Sequence, residues 1–426
     1  MPFKTEFLRN SDISKRMTKF SGLFLLFTSL AVFANDPASD VSVASPLAEM
    51  APFFKIGASQ PIWDGSANEK LRPIKKLVES RTEIDSLETF IESYLSKGLL
   101  KKAALAQNQL GMRHLTLAQN GNVENKAAHL QAAEKAFSKA SEFFNPTSMP
   151  IDWARVQKNL AITLQDQAQT LDQNDKHNVE LLAKSIAIYH SVIDVYKANG
   201  DMRNTAMAQM YLATALQDRA RIADDKASMD AADKALEIYQ QVISALTKYG
   251  CPQDRDVAME NYANMLVYRA KKEGDPTEML KLAVDTYRLL LKNRKRGQDP
   301  KAWAHIQANL GRALYELANS GNNPAKNERL AESMAAFYES LKIYTPDVLP
   351  QQHARSQVGL GFTLFEISQT LPKDKKDWFF IEALVNIVEG STALTGNPKL
   401  ITDGKNIIKQ LQKTREPQQG DSKSLL

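Results

Sequence analysis

Cysteine is nearly absent: Cys251 is the single thiol in 426 residues. No internal disulfide can form, so any fold must rest on packing. The short patterns that carry chemistry are missing too. There is no G-x-S-x-G elbow, no phosphate-binding glycine loop and no dinucleotide fingerprint. The six histidines (His114, His129, His177, His190, His305 and His353) show neither H-x3-H nor HExxH spacing, which removes the common zinc arrangements. Carboxylates are plentiful but scattered. The expectation is a chain with no catalytic residues, no cofactor and no metal. An apolar run long enough to span a bilayer is also lacking. The uncharged stretch Phe20–Ala34 has 15 residues, short of the ~20 that a transmembrane helix needs.

That stretch has another reading. Lys15, Arg16 and Lys19 precede it and it ends Val32-Phe33-Ala34, the pattern of a cleaved export signal over residues 1–34, with Asn35 as the new terminus. An uncleaved anchor is the alternative, and Met17 is an alternative start. The segment carries five basic residues (Lys4, Arg9, Lys15, Arg16, Lys19) against Glu6 and Asp12, so it holds +3 of the formal +5. The remainder is near +2, too weak a charge for an electrostatic nucleic-acid footprint. Residues 35–67 mix Pro, Ser, Ala and Gly and read as a flexible linker. Phe53, Phe54 and Trp63 stand out in it, either docked on the folded body or serving as a recognition element.

What the chain has in quantity is one unit, repeated. Leu110–Gly111, Leu160–Ala161, Leu212–Ala213, Tyr262–Ala263, Leu310–Gly311 and Leu360–Gly361 recur at spacings of 50, 52, 50, 48 and 50 residues. About twenty-five residues after each pair comes an aromatic column, Phe137, Tyr189, Tyr239, Tyr287 and Phe337, with Ile387 last. Four residues before each ring lies a small side chain: Ala133, Ser185, Ala235, Ala283, Ser333 and Ala383. Apolar residues around both columns step by three and four, the period of amphipathic helices. A small residue beside a large one is what close helix packing requires. Each unit is therefore a helical hairpin that needs copies of itself to bury its apolar face. Asp and Pro at Pro150-Ile151-Asp152, Gly200-Asp201, Pro252-Gln253-Asp254, Asp299-Pro300 and Pro350 mark helix starts. The basic run Lys292–Arg296 reads as a solvated helix end.

Leu-Gly on the first helix and Ala/Ser-x3-Phe/Tyr on the second resemble the tetratricopeptide repeat over residues 98–396. The Asn-Leu-Gly/Ala form looks most like the repeats of kinesin light chains and their bacterial relatives. The usual period is 34 residues; the near-50 spacing is expected to come from longer turns and linkers. The resemblance implies an all-α, right-handed solenoid of about six hairpins. Capping helices are expected over 68–97 and near Pro398–Gln412, ahead of a disordered tail.

It also implies a working surface, the concave groove lined by the first helices. Groove-facing positions lie five and two before the pair's Leu and two and five after it. They include Arg155, Lys158, Met207, Met210, Arg312, Tyr315, Arg355, Phe362 and Phe365. Just before the Leu stand Asn159, Asn261 and Asn309, an amide ladder able to hold the backbone of an extended peptide; the alternative is that these amides tie neighbouring helices together. The implied function is an exported scaffold that binds a peptide or a partner protein, with a self-assembling structural subunit as the alternative.

Overall fold

The computed structural model describes residues 72–120, 125–171, 175–222, 225–321 and 323–395. The export signal, the 35–67 linker, the C-terminal capping helix and the tail fall outside them. The described residues form thirteen α-helices and no strand: α1 (Arg72–Ser96), α2 (Leu100–Asn120), α3 (Lys126–Phe143), α4 (Pro150–Ala168), α5 (Lys176–Ala198), α6 (Met202–Ile222), α7 (Lys226–Lys248), α8 (Pro252–Ala270), α9 (Thr277–Asn293), α10 (Pro300–Asn319), α11 (Lys326–Leu341), α12 (Pro350–Thr370) and α13 (Lys373–Thr395). Two compact units divide the chain near Arg269. The first holds α1, the hairpins α2–α3, α4–α5 and α6–α7, and α8. The second holds α9 and the hairpins α10–α11 and α12–α13. The architecture is all-α and built of tandem hairpins, as an α-solenoid is.

The long period has two sources. The helices run from 16 to 25 residues, and most connections are long as expected, with six residues between Phe143 and Pro150, six between Asn293 and Pro300 and eight between Leu341 and Pro350. Two links are short: only three residues separate Ala198 from Met202, and three separate Lys248 from Pro252. Both short links are made by a glycine in the left-handed region, Gly200 at φ 70° and Gly250 at φ 66°. In each, the next amide reaches back into the helix, Asp201 N–H to the Tyr196 carbonyl and Cys251 N–H to that of Leu246, both at 3.0 Å. This closure satisfies carbonyls that a helix end otherwise leaves open.

Helix starts divide in chemistry. Asp201 accepts the Asn204 amide at 3.1 Å and Asp299 accepts that of Ala302 at 3.0 Å, as expected of caps. Asp152 and Asp254 do not cap. They pair with Arg155 and Arg203, each at 3.1 Å.

The two columns are the core. All five rings from Phe137 to Phe337 and all six small residues are buried. Ser185 donates to the Ala161 carbonyl at 2.8 Å and Ser333 to that of Gly311 at 2.7 Å. The hydroxyls use the close approach that their size allows. A β-carbon on Gly111 would stand 2.7 Å from the Phe137 ring, and one on Gly311 would stand 3.0 Å from Phe337. Where the pair holds Ala instead, the ring is tyrosine and its hydroxyl has a partner: Tyr189 donates to Gln165 Oε1 and Tyr239 to Gln217 Oε1, both at 3.3 Å. A buried hydroxyl needs such an acceptor.

Candidate functional site

In the first unit the expected wall begins with successive first helices packed side by side. Asn159 on α4 donates to Asn108 Oδ1 on α2 at 3.2 Å, and both are buried. About two turns further along α4, Asp166 accepts from Gln119 of α2 at 2.8 Å. The next step repeats it: Gln165 of α4 and Gln169, just past its end, donate to Asp218 of α6 at 2.6 and 2.8 Å. Asp166 and Asp218 both lie six residues after the Leu of their pair. At the next repeat that position is Tyr268, and the guanidinium of Arg221 lies 5.8 Å from its ring centre. In the second unit Lys271 meets Glu316, in the same column, at 3.0 Å. A ladder of donors from one hairpin to acceptors of the next thus sets the helix register. The sequence carries this signal, since Asp166, Asp218, Glu316 and Glu366 recur at the repeat period.

Burial changes the electrostatics of this ladder. Loss of water raises the Asp166 carboxyl to about 6, against the opposing hydrogen bond from Gln119. Asp218 moves the same way for the same reason. Lys271 is lowered, chiefly by burial, with Glu316 opposing the shift.

Several residues expected to face an open groove are enclosed. Met207 and Met210 of α6 are 8% and 7% exposed, and Asn159, Asn309, Arg312 and Tyr315 are buried as well. Gln165 and Gln217, also placed on the wall, serve the tyrosine hydroxyls. The reason is the closeness of the first helices: their long side chains fill the space between helices before reaching water. Asn261 is half-buried. The amide ladder is not uniform either. Asn159 ties two helices, while the Asn309 Nδ2 is buried without a hydrogen-bond partner among the described residues. Phe362 packs against Tyr315 and Val358, and Phe365 against Leu360, Leu364 and the Phe380 ring.

Accessible surface remains at other wall positions. Arg155 is exposed and Lys158 is partly so. The Lys158 ammonium sits 5.9 Å from the centre of the Tyr211 ring, and burial, then the neighbouring Arg155 charge, lowers its proton affinity. Leu105, Met112 and Val257 are exposed apolar side chains on α2 and α8. His305 and Arg355 are partly exposed in the second unit.

Two histidines that the sequence separates are brought together. His114 and His129 face each other with Nδ1 atoms 3.0 Å apart, so one ring must donate and the other accept. Burial and the His129 charge lower His114. Among the described residues no group of three His, Cys, Asp or Glu could hold a metal ion, and no described helix is long and apolar enough to cross a membrane. The basic run ends α9 as expected, but Arg296 also lies over the Trp303 ring, 5.5 Å from its centre.

No protein-family profile and no curated protein matches the chain. Solved structures that align with it include a circular tandem repeat protein with novel repeat topology and enhanced subunit contact surfaces. That alignment has 16% identity over 82% of this chain and 91% of the other, with a TM-score of 0.32. Another comes from the computational design of self-assembling cyclic protein homooligomers, with 14% identity over 78% of this chain and 99% of the other and a TM-score of 0.13. Neither superposition is close enough to bear on function.

Proposed function

We propose that the chain is an exported, non-enzymatic scaffold of the tetratricopeptide kind, which holds a segment of a partner protein along its first helices. The observation that carries this reading is the Arg155–Lys158 pair. Most wall positions are used up in packing one hairpin on the next, yet here two cations stand side by side at the surface. Asp152 answers only Arg155, and Lys158 is partly stripped of water. A carboxylate from a partner would relieve the repulsion between them and restore the solvation that burial removed. The segment held would therefore be acidic at this point and extended or helical beyond it. Export rests on the basic residues before Phe20–Ala34 and on the small residues that end that run.

The test is capture of the partner from a cell-envelope fraction by wild-type protein and by the Arg155→Glu/Lys158→Glu variant at matched circular dichroism. Partner bound by wild type and released by the variant supports the reading. Equal capture by both removes this pair from the interface.

A second reading, self-assembly, is favoured by a different surface. On the second unit α9 and α11 lie side by side through Arg288 and Glu332, 2.5 Å apart, and expose Leu282, Leu289 and Tyr338. Light scattering separates the readings, because assembly gives a stable multimer without any partner.

A further inference from the structure

The first hairpin differs from the others at one contact. His114 of α2 stands where the later repeats carry Leu164, Leu216, Leu266, Leu314 and Leu364, and His129 of α3 stands one repeat before Leu181. In the second hairpin Leu164 and Leu181 belong to one buried apolar cluster. The first hairpin closes the same place with two imidazoles.

The Nδ1 atoms lie 3.0 Å apart and the ring centres 5.3 Å. The difference is two imidazole radii, so both nitrogens sit on the line that joins the centres. The in-plane lone pair of one ring therefore meets the N–H of the other head-on, the direction a hydrogen bond prefers. Only one hydrogen fits between them. The neutral pair keeps this bond. So does the pair with one added proton, which enters at the Nε2 of the donor ring. A second added proton has only the facing Nδ1 left. Both nitrogens would then carry hydrogen, and both rings a positive charge.

The charged groups of the surrounding helices are engaged elsewhere. Glu83 of α1 is held by Arg113, the neighbour of His114 on α2, at 2.8 Å. Lys126 of α3 favours the charged form of Asp166 on α4, and Glu134 of α3 accepts from Gln167 of α4 at 2.7 Å. Among the described residues neither imidazole meets a carboxylate. Burial, and then the His129 charge, hold the proton affinity of His114 down.

We propose that the His114–His129 bond is a latch on the first hairpin that acid releases, parting the adjoining stretches of α2 and α3 once both rings are charged. Leu115 and Ala118 of α2 and Leu130 of α3, buried close to it along the chain, then become open to water. The device belongs to the fold itself and needs no partner. Because His114 is lowered from its usual 6.5, the unfolded chain takes up the proton first. The contribution of the latch is whole above about pH 6.5 and is lost as pH falls through that value towards the lowered folded one.

Hydrogen exchange of the full chain tests it, as protection factors at about pH 7.5 and about pH 5.5, on either side of the histidine range. The control is His114→Leu/His129→Leu, which gives the first hairpin the apolar contact of the second. On acidification wild type should lose protection several-fold over residues 110–120 and 126–133, and the double variant should not. Asp166 titrates in both proteins and drops out of the comparison. No loss in wild type, or an equal loss in both, would overturn the proposal. A second measurement needs no variant. At neutral pH, nitrogen NMR of the wild-type imidazoles should find one ring protonated at Nδ1 and its partner at Nε2. Both rings protonated at Nε2 alone would overturn it. So would a loss of neutral-pH protection in this hairpin on adding EDTA, which would give the pair to a metal ion.

Discussion

The side-chain amide of Asn159 reaches 3.2 Å across to Asn108, joining the first helices of two successive hairpins inside the protein. Asn309 occupies the same repeat position, equally buried, with an amide nitrogen that meets no acceptor among the described residues. One repeat position therefore carries opposite energetics in two hairpins.

Replacing each by leucine should separate them. Asn159→Leu leaves the Asn108 oxygen buried and unpaired, which costs about 1–3 kcal/mol. Asn309→Leu removes an unpaired donor and is expected to be neutral or stabilising. Urea unfolding followed by far-ultraviolet circular dichroism reads both. A larger loss for Asn309→Leu than for Asn159→Leu would reverse the assignment.

Gly111→Ala places a methyl group 2.7 Å from the Phe137 ring. The ring is fully enclosed and cannot turn aside, so the variant should lose about 1–3 kcal/mol by overpacking. Tandem units contact mainly their neighbours, so the loss should stay close to the first hairpin. Hydrogen exchange should show faster exchange in α2 and α3 and little change in α10 to α13. Wild-type thermal stability in this variant would mean the ring has room that the geometry denies.

Asp166 makes stability depend on pH. Its folded carboxyl is raised to about 6 from 3.8, so the folded state holds a proton that the unfolded chain has released. The associated stability is present below about pH 4 and is lost as pH rises through about 6. The full effect is at most about 3 kcal/mol for a shift of roughly two units. Asp166→Asn should flatten this dependence and raise stability at neutral pH, since an asparagine oxygen can still accept from Gln119. Unfolding midpoints at acidic and neutral pH check it; parallel curves for the two proteins would count against a buried, protonated Asp166.

Tyr189→Phe removes a hydroxyl whose acceptor is Gln165. Gln165 keeps its bond to Asp218, so the loss should be near one hydrogen bond, about 0.5–1.5 kcal/mol. In a Gln165→Leu background the same change should cost less, because the acceptor has already gone. A double-mutant cycle on unfolding free energy measures the coupling, and additive losses would show that the two side chains act independently.

The sequence by itself determined the hairpins and their core. Leu310–Gly311 and Ser333-x3-Phe337 announce two helices that press together, because helical period and side-chain size are local properties and both columns had to be buried for any hairpin to form. It also carried, in Asp166 and Asp218, a ladder whose meaning depends on a partner fifty residues away. Tertiary structure decided what lies between successive first helices. A helix's own period says which side is apolar; it does not say how near the next helix comes. Met207, Met210 and Tyr315 stand at positions that could line a groove, and they are enclosed because long helices pack closely enough for these side chains to fill the gap. The same spacing gave Asn159 to Asn108 and left Arg155 at the surface, while the closing of one hairpin set His114 against His129. Distances of that kind arise from side chains meeting across the fold, and no single stretch of chain contains them.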